Sequence, residues 1–246
     1  MMPRRSSKYP SGKRGGVMRR ALRRLFMVVA GLLALSVALV LLFRWVPPPG
    51  TALMAERKIE AWRAGEALDL QRQWQPWEML PDNLKMAVIA GEDQRFAEHW
   101  GFDVPAIRDA LEHNRRGGSL RGASTLSQQV AKNLFLWSGR SWARKGLEVW
   151  FTLLVETLWP KQRILEVYLN SVEWGHGVFG AEAAARRHFR IPAARLSNRQ
   201  ASLLAATLPN PRRWNAARPS AYIDRRAFWI RQQMRQLGGA DYLLRL

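Results

Sequence analysis

Leu25 to Phe43 is a run of nineteen residues without a charge, closed at its ends by Arg24 and Arg44. A helix needs roughly 20 such residues to cross hydrocarbon, so the pattern predicts a transmembrane helix over residues 25–46. The run exceeds the apolar core of a cleaved signal peptide, about 7 to 15 residues, and no small-x-small cleavage site follows it. A stiff exit linker, Pro47-Pro48-Pro49-Gly50, follows instead. Beyond it apolar residues recur at three- and four-residue spacing and no run alternates as a strand would. The spacing predicts helices over Met54–Ala64, Leu84–Ala97, Val104–Asn114, Thr125–Leu136, Ser141–Trp159, Lys161–Ser171, Val178–Phe189, Asn198–Thr207 and Tyr222–Leu237. Pro81-Asp82-Asn83 marks the start of the second of these. Glycines and cations interrupt the pattern over Arg115–Gly122, which predicts a mobile loop. The fold class is therefore all-α, or mainly α, with one N-terminal membrane helix and no internal repeat.

Charge adds an orientation to this outline. Arg4, Arg5, Lys8, Lys13, Arg14, Arg19, Arg20, Arg23 and Arg24 precede the first acid of the chain, Glu56. By the positive-inside bias this block keeps the N-terminus in the cytoplasm and places everything beyond Trp45 on the far side of the membrane. The roughly two hundred residues that remain suffice for one compact domain with a real core. Past residue 44 there are 29 basic and 19 acidic residues, so the domain carries a net +10 of its own. A pI near 11.5 would ordinarily point to nucleic acid. An exported domain seldom meets it, and no zinc-finger or aromatic RNA-binding signature is present. Anionic lipid or a pyrophosphate suits the basic surface better. The chain has no cysteine, which excludes disulfides, thiol nucleophiles and thiolate metal sites.

Candidate chemistry begins at Glu92-Asp93-Gln94-Arg95-Phe96-Ala97-Glu98-His99-Trp100-Gly101. Glu92 lies between the apolar run Met86–Ala90 and Phe96, at the edge of a core where reduced solvation raises a carboxylate's pKa toward a useful range for a base. Asp93 and His99 are placed to hydrogen-bond nearby and hold that geometry. Taken alone, the segment reads equally well as a solvated turn with a packed histidine. In Ser124-Thr125-Leu126-Ser127-Gln128-Gln129-Val130-Ala131-Lys132-Asn133, Thr125 followed by Gln128 fits a capping box. Gln128, Gln129 and Lys132 share a face able to grip sugar hydroxyls and phosphate oxygens, opposite Leu126, Val130 and Leu134. Arg144 and Lys145 stand four and three residues before Glu148. Such a trio is by default a surface ion pair of about 0.2–0.5 kcal/mol. Its functional alternative is a cationic clamp for a diphosphate, with Arg as a fork and Lys as a point charge. Two further segments, Ile164–Asn170 with the glycines that follow and Leu203–Pro211, read as architecture.

Together and in this order the five segments resemble the five motifs of the family 51 glycosyltransferases, which polymerise lipid II into peptidoglycan strands; the resemblance covers roughly residues 75–238. It implies a lysozyme-like helical fold, with 1–24 a basic tail, 25–46 the membrane helix, 47–74 a linker and membrane-proximal helix, and 75–246 the catalytic domain. It implies Glu92 as general base and Glu148 as second essential carboxylate. Asp93, Arg95, Phe96, His99, Ser124, Thr125, Gln128, Gln129, Lys132, Asn133, Arg144 and Lys145 match its substrate-binding positions. Ala123 stands where a second glycine is usual, Gln200 where Glu is usual, and His188 and Ala216 replace the commoner Tyr and Pro.

The reaction so implied takes the proton from the acceptor sugar's 4-hydroxyl as that oxygen attacks the donor's anomeric carbon, inverting it and releasing undecaprenyl pyrophosphate. A diphosphate leaves without a proton, so cations replace the general acid a glycoside hydrolase needs. Arg95, Lys132, Arg144 and Lys145 supply that charge without a mandatory metal. Glu148 either orients the clamp or coordinates a divalent ion such as Mg²⁺ or Mn²⁺. A membrane-anchored lytic glycosidase and a non-catalytic glycan-binding scaffold are the rivals, the latter favoured if Glu92 and Glu148 are exposed and apart. Expected partners are lipid II, lipid-linked glycan, the bacterial inner membrane and other cell-wall synthesis or division proteins. An apolar surface should meet the bilayer, with Trp62, Trp74, Trp77 and Phe102 as candidates.

Overall fold

The computed structural model describes residues 13–117, 122–139 and 141–246, with side chains from Met18 onward. Residues 118–121 of the expected glycine-rich loop, and Arg4, Arg5, Lys8 and the side chains of Lys13 and Arg14 in the basic block, lie outside the described residues. The chain forms two units, Met1–Leu42 and Phe43–Leu246.

Helix α1 spans Lys13–Trp45. Its segment Met18–Trp45, 28 residues with a stretch of mean hydropathy 2.9, is long and apolar enough to cross a membrane. Leu25, Phe26, Leu32 and Leu35 on it are exposed. The helix begins well before the apolar run because residues 18–24 are mostly Arg, Ala, Leu and Met, good helix formers with no breaker among them.

The second unit is built from α2 (Ala52–Arg63), α3 (Asp82–Glu92), α4 (Val104–Arg115), α5 (Leu126–Phe135), α6 (Trp142–Leu158), α7 (Lys161–Ser171), α8 (Ala181–Phe189), α9 (Asn198–Thr207) and α10 (Ala221–Gln236), closed by a 3-10 segment at Gly239–Arg245. Leu84 to Ala90 are all buried, which makes α3 the central helix; it packs against α9, α10 and the final 3-10 segment. On the other side α5 packs against α6 and α7. Side-chain oxygens of Thr51, Asp103, Thr125, Ser141, Ser197 and Ser220 cap six of these helices, satisfying N–H groups the first turn leaves free. Thr125 with Gln128 and Ser197 with Gln200 form full capping boxes. Gln200 thus completes the cap of α9.

Two expectations are corrected. Helix α3 stops at Glu92 and does not run to Ala97, because Asp93 leaves the helical region at φ −160°, ψ 77° and commits its carboxylate elsewhere. Val178 does not open a helix: Val178–Phe179 is strand β3, which pairs antiparallel with β2 (Glu173–Gly175) and parallel with β1 (Gln71–Arg72), and α8 starts at Ala181. Strands of two or three residues are too short to display alternation. They are fixed by close approach, since a Cβ on Gly177 (φ +72°) would lie 2.9 Å from the Asp69 carbonyl oxygen. Within the segment expected as a linker, Pro48 is buried and its carbonyl accepts from Arg72 Nη1 at 2.8 Å.

Helix α6 inverts the ordinary amphipathic arrangement. Glu148, Thr152, Val155 and Glu156 are its buried positions, while Leu147, Val149 and Leu153 are exposed and Trp142 is 93% exposed. The helix turns its carboxylates inward. Of the aromatic candidates for bilayer contact, Trp62 is exposed; Trp74 lies beneath Arg72 and Arg163, Trp77 beneath Lys85, and Phe102 is half-buried.

Candidate active site

Glu92 is the last residue of α3, where its side chain, 14% exposed, meets α5 and α10. Gln129 Nε2 on α5 donates to Glu92 Oε2 at 3.0 Å, and the Tyr168 hydroxyl on α7 donates to Gln129 Oε1 at 3.1 Å. That second bond fixes which end of the amide faces the carboxylate. On the α10 side Arg226 Nη2 stands 3.7 Å from Glu92 Oε1 and donates to the Gly91 carbonyl at 3.3 Å. Burial raises the Glu92 pKa; the Gln129 bond and the charges of Arg226 and Lys132 oppose the rise, and neighbouring Asp93 adds to it. The outcome is a carboxylate more basic than usual, as expected of a proton acceptor. Burial also drives the Tyr168 phenol well above its ordinary value, helped by Glu92 and Asp93, so it stays a neutral donor.

Asp93 is buried and fully engaged. Its Oδ2 accepts from the Leu126 N–H at 2.9 Å, joining the end of α3 to the start of α5, and its Oδ1 lies 2.9 Å from His99 Nε2. Gly101 N–H donates to His99 Nδ1 at 3.1 Å, which leaves the ring proton on Nε2 for Asp93. Thr125 Oγ1 donates to the Gly101 carbonyl at 2.6 Å. Below this loop Lys161 Nζ bonds the His99 carbonyl at 2.6 Å and Glu156 at 2.8 Å and sits over the Phe96 ring, while Ser127 Oγ donates to the same Glu156 oxygen. Gly101 is the tightest point. At φ +78°, a Cβ there would fall 2.7 Å from Thr152 Cγ2 and 2.9 Å from Glu156 Cγ. Gly101→Ala is therefore expected to destabilise the domain by about 2–4 kcal/mol, combining left-handed strain with overpacking, as measured by urea unfolding.

The second cluster is carried by α5 and α6. Glu148 is buried, with Arg144 Nη1 at 2.8 Å from Oε2 and Lys145 Nζ at 2.6 Å from Oε1. This is no surface trio. Burial favours the neutral acid, but the bonds from Lys145 and Arg144 prevail and hold the Glu148 pKa below its ordinary value. Lys132 lies in the field of Glu148, Arg144, Lys145 and Glu92 alike; burial lowers its pKa, Glu148 and Glu92 oppose this, and the two cations reinforce it. Among the described residues Lys132 makes no ion pair within 4 Å, and Arg144 Nε is buried without a hydrogen-bond partner. Lys132 is thus available to an anion, whereas the Arg144 Nε is occluded.

Glu92, Gln129, Lys132, Arg144, Lys145 and Glu148 are brought together around one region. Asp93, Phe96, His99, Thr125 and Gln128 form the frame beneath it: Phe96 is fully buried, and Gln128 Oε1 accepts from the Thr125 N–H at 3.0 Å. Asn133 is buried and Ser124 is exposed just ahead of the cap. Arg95 turns away, to Glu98 at 3.0 Å and Asp103 at 3.5 Å. Sequence reasoning missed Arg226, for which no local signal exists, and gave Tyr168 an architectural part although it lies in a segment already singled out. Both oxygens of Glu148 are taken by cations, so as arranged here Glu148 offers no free oxygen to a divalent ion, and among the described residues no group of three His, Asp or Glu side chains is arranged to hold one.

A family model described as transglycosylase matches residues 60–235, a span that includes every residue of both clusters. The biosynthetic peptidoglycan transglycosylase of Stutzerimonas stutzeri is 72% identical over 230 residues, covering 94% of this chain and 95% of that protein. The protein of the same name from Pseudomonas aeruginosa is 69% identical over 94% of this chain and 99% of its own length. That from Pseudomonas putida strain W619 is 67% identical over 94% and 96%.

Proposed function

This chain belongs to the transglycosylase family, and we propose that it is the peptidoglycan glycosyltransferase that transfers a growing lipid-linked glycan onto lipid II, forming β-1,4 links with inversion and releasing undecaprenyl pyrophosphate. The observation that carries this reading is the pairing of one buried, unusually basic carboxylate with a separate cluster of cations. Glu92 takes the proton of the acceptor's 4-hydroxyl as its oxygen attacks the anomeric carbon. Lys132, which makes no ion pair within 4 Å among the described residues, together with Arg144 and Lys145 receives the charge that develops on the departing pyrophosphate. Glu148 holds Arg144 and Lys145 in place from behind, the clamp-orienting role rather than a metal-ligand role. The condition that would have favoured a scaffold, two exposed and separated carboxylates, is not met: both are largely buried, and Lys132 feels both.

The N-terminal helix is compatible with a single membrane span. The basic residues before it favour a cytoplasmic N-terminus and a catalytic domain on the outer side of the bacterial inner membrane. Exposed Trp142, Leu147, Val149 and Leu153 on α6 support a bilayer contact beside the cation cluster, where a lipid tail must stay in hydrocarbon while its head enters the site.

The test is to incubate the detergent-solubilised protein with labelled lipid II and, separately, with preformed peptidoglycan, and to separate the products by size. Lengthening strands from lipid II are expected. Cleavage of preformed peptidoglycan without polymer would overturn the reading in favour of a lytic enzyme.

A further inference from the structure

Arg226 lies outside the five segments that carry the family resemblance. Ile223, Ala227, Ile230 and Met234 bury α10 against its neighbours. The Arg226 guanidinium is held at the C-terminal end of α3 by the Gly91 carbonyl, where the helix dipole is negative and a cation is favoured. Its side chain is 24% exposed, and among the described residues its buried Nε has no hydrogen-bond partner. Its remaining neighbour of note is Glu92, at 3.7 Å.

The groups facing Glu92 are Asp93 from the following turn, Gln129 and Lys132 from α5, Tyr168 from α7 and Arg226 from α10. Asp93 opposes ionisation of Glu92, and its own oxygens are spent on His99 and Leu126. Gln129 and Tyr168 are neutral. Lys132 acts from beyond ion-pair distance and borders the cation cluster. Among the described residues Arg226 is thus the cation within 4 Å of a carboxylate that burial drives toward its neutral form. A neutral Glu92 cannot accept a proton, whereas a tight salt bridge would make it a poor base. A loose contact at 3.7 Å lies between these extremes.

We propose that Arg226 is a positioning residue for the transfer reaction, keeping the Glu92 carboxylate ionised and in place to receive the acceptor's proton. This rests on Glu92 being the base. Without Arg226 more of the enzyme carries protonated Glu92 at acid pH, and at alkaline pH the difference closes. A merely structural role would reduce the rate at every pH.

The experiment is the pH–rate profile of lipid II polymerisation by the full chain in detergent, for wild type, Arg226→Gln and Arg226→Lys. Arg226→Gln is expected to lose on the order of tenfold at about pH 5.5 and no more than about twofold at about pH 8.5, with Arg226→Lys keeping the wild-type shape. A uniform loss across the range, or a lysine variant that follows the glutamine one, overturns the proposal while leaving the base assignment intact. A Glu92→Gln enzyme that still polymerises would overturn the base assignment, and this proposal with it. If Arg226→Gln does not fold, Arg226→Met, which keeps the aliphatic stem, carries the same comparison.

Discussion

Replacing Glu92 with Gln is expected to lower polymerisation by about 10²–10⁴-fold, the range a general base contributes, while the domain stays folded. The substitution keeps shape and volume, and the amide oxygen can still accept from Gln129, so the network through Tyr168 persists. What disappears is the proton acceptor. Arg226 loses its counter-charge, but with 24% of its side chain exposed and the Gly91 carbonyl still bound it is left solvated rather than stranded. Thermal unfolding of the variant should therefore stay close to wild type. A collapse of folding in parallel with activity would show instead that Glu92 is structural. In the wild type the same carboxylate predicts a signed pH dependence. Activity needs the ionised form and burial raises the pKa, so the acid limb of the rate profile should fall at higher pH than an ordinary glutamate would give.

The elements legible in the sequence are those whose cause is local. Helices α7 and α9 start and stop where periodicity, Pro160 and the Ser197–Gln200 box place them, and the Thr125–Gln128 box is visible as spacing alone. Features set by distant partners are not visible in this way. The end of α3 at Glu92 depends on Asp93 finding the Leu126 N–H and His99, and the former lies thirty-three residues away in the chain. The small sheet depends on Gly177 meeting Asp69. The inward turn of Glu148 and Glu156 runs against amphipathicity, and half-buried Lys161 and buried Ser127, which partner Glu156, sit on other helices. Arg226 lies 134 positions from Glu92 on a helix that also carries Arg225, Arg231 and Arg235, from which nothing local distinguishes it. Local rules fail where function sets the arrangement, since a site must gather residues that nothing in their own segments would bury.

Glu148→Gln should be nearly as damaging as the loss of Glu92, by a different route. The carboxylate accepts from Arg144 and Lys145 and is the leading charge that keeps Lys132 protonated against burial. An amide in its place leaves one oxygen acceptor for two cations. Lys145, 45% exposed, can turn to solvent, while Arg144, 13% exposed, remains with reduced compensation. A stability loss of about 1–3 kcal/mol follows from that unpaired charge. The larger effect is electrostatic: with Glu148 neutral, Arg144 and Lys145 depress the Lys132 pKa further, so its ammonium is lost at lower pH than in the wild type. If the pyrophosphate needs that charge as it departs, the variant should lose about 10²-fold or more in rate, and the alkaline limb of its residual activity should move to lower pH. Glu92→Gln should leave that limb unchanged. Equal alkaline limbs in Glu148→Gln and wild type would mean that Lys132 does not depend on Glu148 for its charge, and Glu148 would then act through the geometry of Arg144 and Lys145 alone.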